Sequence, residues 1–515
     1  MNQPSRLSEG GRIDWSAPVD FSFNGRRYQG FRGDTLASAL LANDVHLVAR
    51  SFKYHRPRGI VAAGSEEPNA LIQLDEGART APNLLATQTE LYDGLVAKSV
   101  NCWPSVNFDL RAATGLFSRF LPPGFYYKTF MWPQMLWPLY ERQLRRAGGH
   151  GVSPAEPDPD RYEKHNTHCD VLVVGSGPAG LAAALEAGRT GARVILADEQ
   201  SELGGSLLSN RSTIDGAPAM DWAASVLEEL SGMDEVRLLP RGTVAGYYDH
   251  NFLTILERVM DHLGPAGGAA PRQRLWRVRA GQVVLATGAI ERPLVFANND
   301  RPGVMLASAV STYVNRYAVS PGERSVVFTN NDIGYQAALD LVSAGGTVAT
   351  VVDVRPETDG ELPPRVRQIG IEVLAGHAVV DVTGHKRVRG VRIKRLDGAG
   401  VADGRVRKLD CDLLAVSGGW NPAVHLHSQS GGRPRFDESR GCFVPGPPAQ
   451  AERSAGSCDG AFSLHECLAQ GLSAGAGAAH AAGFGDGKPA SDNPSTDDVP
   501  EGALRTMWQV PSPWS

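Results

Sequence analysis

Val171-Leu-Val-Val-Gly-Ser-Gly-Pro-Ala-Gly180 decides the fold. Four aliphatic residues run into glycines spaced G-x-G-x-x-G, and an alanine-rich run, Leu181-Ala-Ala-Ala-Leu185, follows. That order reads as buried strand, tight turn and helix start. Gly175 permits the turn, Gly177 lets a pyrophosphate approach the backbone, and Gly180 allows close helix–strand packing. Pro178 and Ala179 open the helix, whose unpaired N–H groups and positive dipole end suit phosphates. The strand is expected over Asp170–Val174, the helix over about Ala179–Thr190 and a second strand over Arg193–Ala197. The second strand ends at Asp198, about twenty residues on, where a carboxylate accepts from a ribose hydroxyl. Glu199 is the adjacent candidate. An acid here repels the extra phosphate of NADP. Leu203-Gly-Gly-Ser-Leu207 follows, and Gly205 could let the backbone pass close to the same ligand.

Working outward, Val283-Val-Leu-Ala-Thr-Gly-Ala289 is an apolar strand ending in Ala-Thr-Gly, with Thr287 and Gly288 at its rim. This ending resembles the crossing strand of disulfide-reductase-type flavoproteins. Cys411-Asp-Leu-Leu-Ala-Val-Ser-Gly-Gly-Trp-Asn-Pro422 resembles the strand that closes their inserted second domain. In that order these marks predict an α/β fold with two dinucleotide-binding domains. The second unit, Arg324 to Asp353, is degenerate: Thr329, Asn331 and Gly334 stand where the three glycines would be. It reads as structural rather than ligand-binding. In Ala455-Gly-Ser-Cys-Asp-Gly460, Ser457 occupies the place of the Asp that touches a flavin ribityl chain in relatives, and Asp459 is nearby. This favours NAD over FAD.

The first hundred residues read as a β-rich module. Asn24-Gly25 suits a type I′ hairpin turn. Gly33-Asp-Thr opens a helix with Asp34 or Thr35 as cap and Leu36, Ala39 and Leu40 on one face. Residues 114–147 are rich in aromatics, among them Phe117, Phe125, Tyr126, Trp132, Trp137 and Tyr140. Pro and Gly punctuate the stretch and break regular helix. It reads as a packed connector or a subunit interface. Residues after Gly487 read as a polar linker.

The chain has 515 residues, a net charge of −5 and 42% hydrophobic residues, which suggests about three domains. Mixed charge argues against nucleic-acid binding, no apolar run reaches a membrane span, and the start lacks a signal-peptide core; a cytoplasmic setting is expected. Six cysteines are scattered: Cys102, Cys169, Cys411, Cys442, Cys458 and Cys467. None forms a closely spaced ligand set, so no metal site and no iron–sulfur cluster are expected.

Gly33-Asp-Thr-Leu-Ala-Ser-Ala-Leu-Leu-Ala-Asn43, Arg50-Ser-Phe-Lys-Tyr-His-Arg-Pro-Arg-Gly59, Glu66-Glu-Pro-Asn-Ala70, Pro123-Gly-Phe-Tyr-Tyr-Lys-Thr-Phe130 and Gly418-Gly-Trp-Asn-Pro422 resemble the alpha subunit of heterotetrameric sarcosine oxidase over residues 10–485. The resemblance implies a part in the oxidative demethylation of sarcosine to glycine, with formaldehyde or methylene-tetrahydrofolate and hydrogen peroxide. It implies NAD on this chain, FMN at an interface with a partner and FAD in a beta-type partner or, as second choice, here. It implies a hetero-oligomer with that FAD subunit and smaller subunits, a small-molecule amine substrate, and no convincing acid, base or nucleophile on this chain. The folate-binding half of the family's alpha subunit is not in the sequence. The first module resembles a [2Fe–2S] ferredoxin module without ligands, since residues 44–75 hold no cysteine. Its loop residues Arg50, Lys53, His55, Arg56 and Arg58 read as a solvated face or as an anion- or partner-facing patch. Two alternatives stay open: the dinucleotide-binding subunit of an amino-acid, opine or imino-acid dehydrogenase, and a non-catalytic scaffold with a structural nucleotide.

The expected division is a ferredoxin-like β-grasp domain (1–110), an aromatic connector and linker (111–165), a first dinucleotide-binding domain (166–301), an inserted degenerate one (302–425), a return to the first (426–485) and a polar linker or tail (486–515).

Overall fold

The computed structural model describes residues 3–120, 132–147, 149, 151–268, 270–499 and 502–511. The glycine turn ends a strand that spans Tyr162–Val174, much longer than Asp170–Val174. Its first half, Tyr162-Glu-Lys-His-Asn-Thr-His, has no apolar alternation. It is a strand because it pairs in parallel with Gln273–Leu285 along nearly its whole length, so partner hydrogen bonds override weak local pattern. The sheet around it has seven strands, running Val236–Leu239, Val194–Ala197, Tyr162–Val174, Gln273–Leu285, Phe252–Arg258 and Gly242–Tyr248, with Glu452–Ser454 also on Gln273–Leu285. Helix Pro178–Arg189 lies against helix Leu464–Ala481. Gly471 and Gly475 of the second helix face the backbone of Ala179 and Ala183, where any Cβ would collide with carbonyl oxygens.

The inserted unit is a five-stranded parallel sheet, Val304–Leu306, Leu413–Ser417, Arg324–Thr329, Thr347–Asp353 and Glu372–Ala375, beside a three-stranded antiparallel one. Two short antiparallel strands, Ala289–Glu291 and Trp420–Pro422, carry the chain between the two units.

The first module is a five-stranded sheet, Arg26–Arg32, Asp14–Phe23, Leu95–Ser99, Leu71–Leu74 and Ala81–Leu85. Its central pair, Asp14–Phe23 and Leu95–Ser99, is parallel, as in a grasp fold. Asn24 and Gly25 both have positive φ, 53° and 77°, as a type I′ turn requires. Thr35 caps helix Leu36–Ala42 with a reciprocal capping box through Ser38. All seven helical residues are buried rather than one face only. The core explains this: it continues from this helix into Tyr313, Tyr335 and Val351 of the inserted unit.

Three expectations need correction. Trp137–Ala147 is a helix despite Pro138, because proline is tolerated in a first turn. Phe125, Tyr126, Tyr127 and Phe130 lie outside the described residues. The basic loop is only partly solvated: Arg56 is exposed, but most of its cations are engaged within the chain. Arg50 is buried and donates to Val106 O, and buried His55 meets Asp109 Oδ2 at 2.7 Å. Arg56 and Arg58 both grip Asp300, Arg56 Nε at 2.6 Å. Arg50 and His55 thus brace the first module internally, while Arg56 and Arg58 dock it on Asp300, at the edge of the first unit just before the insertion. The described residues of the tail, 486–499 and 502–511, are not a free linker either. Thr496 bridges Ile214, and Asp498 accepts from Leu464 N and His465 N at 3.1 and 2.6 Å, capping the long helix.

Candidate functional site

The three motif glycines have three different surroundings. Gly175 has φ +97°, and a side chain there would strike Ala286 O. A Cβ on Gly180 would overlap Gly175 O. Gly177 alone is open: φ is −66° and an added Cβ meets no atom within 4 Å. Gly177 caps helix Pro178–Arg189, with Pro178 as first residue. Pro178 has no N–H, so Ala179 and Gly180 carry the unpaired donors that a helix start presents. The strand ends that frame this space are Val174, Ala197 and Leu285, which lie side by side in register.

Asp198 sits just past the second strand, nine-tenths buried. Its Oδ2 accepts from Ser176 N and Ser176 Oγ at 2.7 and 2.8 Å, and its Oδ1 accepts from Gln200 N at 2.8 Å. A carboxylate has about four acceptor positions, so one remains for a ligand hydroxyl. Glu199 is half-buried beside it. Burial holds its carboxyl above the usual range, opposed by a hydrogen bond from Ser65 of the first module. Gly204 N donates to Ser176 Oγ at 3.2 Å, and a Cβ on Gly205 would come within 2.5 Å of Gly177 Cα. The sequence reading missed Ser176, which ties the acid, the glycine turn and the Gly204–Gly205 turn together. Only its place as the x of G-x-G could have signalled it.

On the far rim, Thr287 Oγ donates to Ala423 O at 2.9 Å. Its hydroxyl is therefore spent on closing the crossover, while Gly288, φ +72°, leaves open space. Gly456 packs against Ala179, and Ser457 lies 3.7 Å from Cys467 Sγ. Asp459 is exposed. The structure thus gathers Gly175, Gly177, Pro178, Ala179, Gly180, Asp198, Glu199 and Gly205 around one space, with Thr287 and Gly288 at its edge.

Three buried ionisable groups, one single and one pair, also escaped sequence reading. Glu291 follows the Ala-Thr-Gly rim. Its Oε2 accepts from Ser308 N, at the start of helix Ala307–Tyr317, at 2.7 Å, while Oε1 has no hydrogen-bond partner among the described residues. Burial pushes its carboxyl up to about 7. His427 Nδ1 meets Glu452 Oε1 at 2.7 Å, both fully enclosed. A cavity of about 650 Å³ lies elsewhere, between Leu84, Thr89 and Tyr92 of the first module and Thr243, Leu256 and His262 of the first dinucleotide unit. Ion pairs of Arg79 and Arg272 with Asp160 lie at its edge. One of its lining residues, Arg258, donates to Glu199 O at 2.5 Å, so the cavity adjoins the acid end of the glycine-turn site.

Residues 169–440 match the family described as pyridine nucleotide-disulphide oxidoreductase, more than half of the 515 residues. The chain belongs to that family. It is similar to sarcosine oxidase subunit alpha of Rhizobium meliloti (strain 1021), 48% identical over 467 residues, covering 90% of this chain and 46% of the relative. Against sarcosine oxidase subunit alpha of Corynebacterium sp. (strain P-1) it is 39% identical, covering 99% of this chain and 48% of the relative. The chain therefore spans about half the length of the curated relatives it matches. Among solved structures, L-proline dehydrogenase from P. horikoshii shares the fold, with a TM-score of 0.59, 20% identity, and coverage of 92% of this chain and 75% of that one.

Residues 16–102 match a 2Fe-2S iron-sulfur cluster binding domain. This corrects the expectation of a chain with no iron–sulfur cluster: the first module carries a domain of the cluster-binding type. The donor set does not by itself complete a four-thiolate site, because Cys102 is the one cysteine of the matched residues, and no chemical step is derived through a cluster. The loop after the helix is organised by Glu67, whose carboxylate accepts from Val61, Ala62, Asn69 and Ala70 N–H groups at 2.7 to 3.0 Å. Among the described residues, no helix is long and apolar enough to cross a membrane.

Proposed function

We propose that this chain is the dinucleotide-carrying, alpha-type part of a sarcosine oxidase-like complex. The dinucleotide assignment is carried by the open space above Gly177, framed by three parallel strand ends and an acid with one acceptor position to spare. The sarcosine assignment rests on the 48% and 39% identical relatives named as sarcosine oxidase subunits. A bound dinucleotide of NAD or FAD type would supply the redox-active ring. In this reading Ala179 and Gly180 N–H groups face its pyrophosphate, Gly177 gives it bare backbone, and Asp198 accepts from a ribose hydroxyl with Glu199 beside it. Gly205 and Gly288 line the approach, and Thr287 holds the rim through Ala423. One buried and one half-buried carboxylate, Asp198 and Glu199, at the ribose end would disfavour a 2′-phosphate.

The division of labour follows from what surrounds the site. The hydroxyl–carboxylate pair at the glycine turn, Ser176 and Asp198, is taken up in fixing the turn, and flavin amine oxidation is chiefly the cofactor's chemistry. The amine-oxidising step, in which sarcosine, water and oxygen give glycine, formaldehyde and hydrogen peroxide, is thus assigned to a beta-type flavin partner in a hetero-oligomer. The first module (1–110), the connector (111–165), the first unit (166–301 and 426–485) and its insertion (302–425) serve as the frame for that assembly.

The test is direct. The purified chain is denatured and released nucleotide quantified by chromatography; about one equivalent per chain is expected, and none would overturn the dinucleotide reading. Alone, with added FAD or FMN, the chain should give no sarcosine-dependent peroxide, and adding the beta-type subunit should restore it. Turnover by the isolated chain would move the active site onto this chain.

A further inference from the structure

The inserted unit also ends three parallel strands at one edge, and its crevice is already filled. Thr329 lies in register with Asp353 on one side and Ser417 on the other. These are the counterparts of Val174, Ala197 and Leu285 in the first unit, and a ligand of an open parallel sheet binds outside such ends. In the inserted unit a stretch of this same chain contacts all three. After the first strand, Asn330 O accepts from Arg505 N at 3.0 Å, and Asn330 Nδ2 donates to Arg505 O and Met507 O at 2.9 and 3.2 Å. Asp332 Oδ2 accepts from Gly502 N at 2.7 Å. After the second strand, Arg355 donates to Ala503 O at 3.2 Å and the Arg505 guanidinium donates to Val354 O. After the third, Trp508 Nε1 donates to Gly418 O at 2.9 Å, and the Leu504 side chain fills the space where a Cβ of Gly419 would go.

The acid of this unit is occupied as well. Asp353 accepts from Arg355 N at 2.8 Å and from Tyr335 Oη at 2.8 Å, and its charge is paired with Arg355 in a fully enclosed site. A ribose hydroxyl would have to displace that network. Downstream, Val295 N donates to Trp508 O at 2.7 Å and Val510 N to Val295 O at 2.9 Å. Val510 is buried. The Arg292 guanidinium lies 4.4 Å from the centre of the Trp508 ring and donates to Trp420 O. Trp420 and Arg292 belong to the crossing between the two units, so the stretch also fixes that crossing.

We propose that residues 502–510 are the resident occupant of the inserted unit's nucleotide crevice, and that a second dinucleotide is excluded from this chain. The inference does not depend on whether the first unit holds a nucleotide. A degenerate glycine motif alone would leave an empty crevice with unpaired strand-end groups; here backbone and side chains of 502–510 satisfy them.

The experiment compares the full chain with Arg505→Ala, a mild variant, and Trp508→Ala, a stronger one. Amide exchange in 502–510 and in 330–332 should be slow in the unaltered chain and about tenfold faster or more in Trp508→Ala, with Arg505→Ala between them. A fluorescent peptide with the sequence of residues 502–511 should bind Trp508→Ala and not the unaltered chain. Fast exchange of 502–510 in the unaltered chain, or its capture of the peptide, would overturn the proposal. So would a second equivalent of NAD or NADP bound while those amides stay protected. If Trp508→Ala does not fold, Arg505→Ala decides by the same two readouts.

Discussion

Gly177 and Gly180 stand three residues apart and fail in different ways when given a side chain. At Gly180 the new atom meets backbone, so the fold suffers. At Gly177 it meets nothing of the protein, so only a ligand can object. Gly177→Val is therefore expected to fold normally and to lose bound dinucleotide about tenfold or more, a penalty of about 1.4 kcal/mol or more. Nucleotide released from equal amounts of variant and unaltered chain checks this, and equal occupancy would defeat the site assignment. Glu291 gives a pH signature. Its folded carboxyl titrates near 7 rather than in the ordinary range because burial disfavours the anion. The folded chain then holds a proton that the unfolded chain has lost, so this group's contribution to stability falls as pH rises from about 4.5 to 7 and is unfavourable above that. Glu291→Gln should melt with the unaltered chain at pH 4 and a few °C above it at pH 8. A gap that is the same at both pH values would show that Glu291 does not titrate in that window.

Among elements, the crossing of helices Pro178–Arg189 and Leu464–Ala481 depends on glycine. Leu464–Ala481 is rich in glycine and alanine, but which of its glycines are needed is not readable from the sequence, since that depends on the backbone across the contact. Gly475 faces Ala183 O, whereas Gly477 faces only the movable end of Arg453. Helix propensity alone would make either Gly→Ala change stabilising by up to about 1 kcal/mol. Gly475→Ala should instead cost roughly 1–3 kcal/mol by overpacking, and lower nucleotide occupancy because it displaces the helix that presents Ala179 and Gly180. Gly477→Ala should be neutral or stabilising. Thermal melts of the pair test this; matching behaviour would remove the crossing from the argument. Strand Tyr162–Val174 makes the complementary point. Its apolar end was plain in the sequence, while its polar half is a strand only through Gln273–Leu285.

Across the whole molecule, the first module is held by a core shared with the inserted unit and by Asp300, which ends the first unit just before that insertion. Arg56 and Arg58 hold the Asp300 carboxyl down at about 2, against the effect of its own burial. A depressed acid stabilises the fold above the ordinary carboxylate range and loses that contribution as pH falls toward 2. Because Arg56 is nearly half exposed, solvent screens the pair. Asp300→Asn should cost about 1 kcal/mol or less while raising protease sensitivity in the loop 50–58. An unchanged cleavage pattern would assign the docking to the core alone.

The glycine spacing, the Ala-Thr-Gly ending and the acid after the second strand were readable in one dimension because each is a local demand: a backbone angle, a close approach, a helix start. They determined the first dinucleotide unit, its order in the chain and the residues around its open space. Long-range pairing decided the rest. The loop basic residues looked like a patch because their partners Asp109 and Asp300 are about fifty and two hundred and forty residues away in sequence. Residues 502–510 looked like linker because a polar stretch with no periodicity has no visible partner until a crevice with unpaired strand ends is placed beside it. Local sequence sets the conformations a segment can adopt, whereas the obligation of buried polar groups to find partners, met only in three dimensions, decides which of those segments fill which sites.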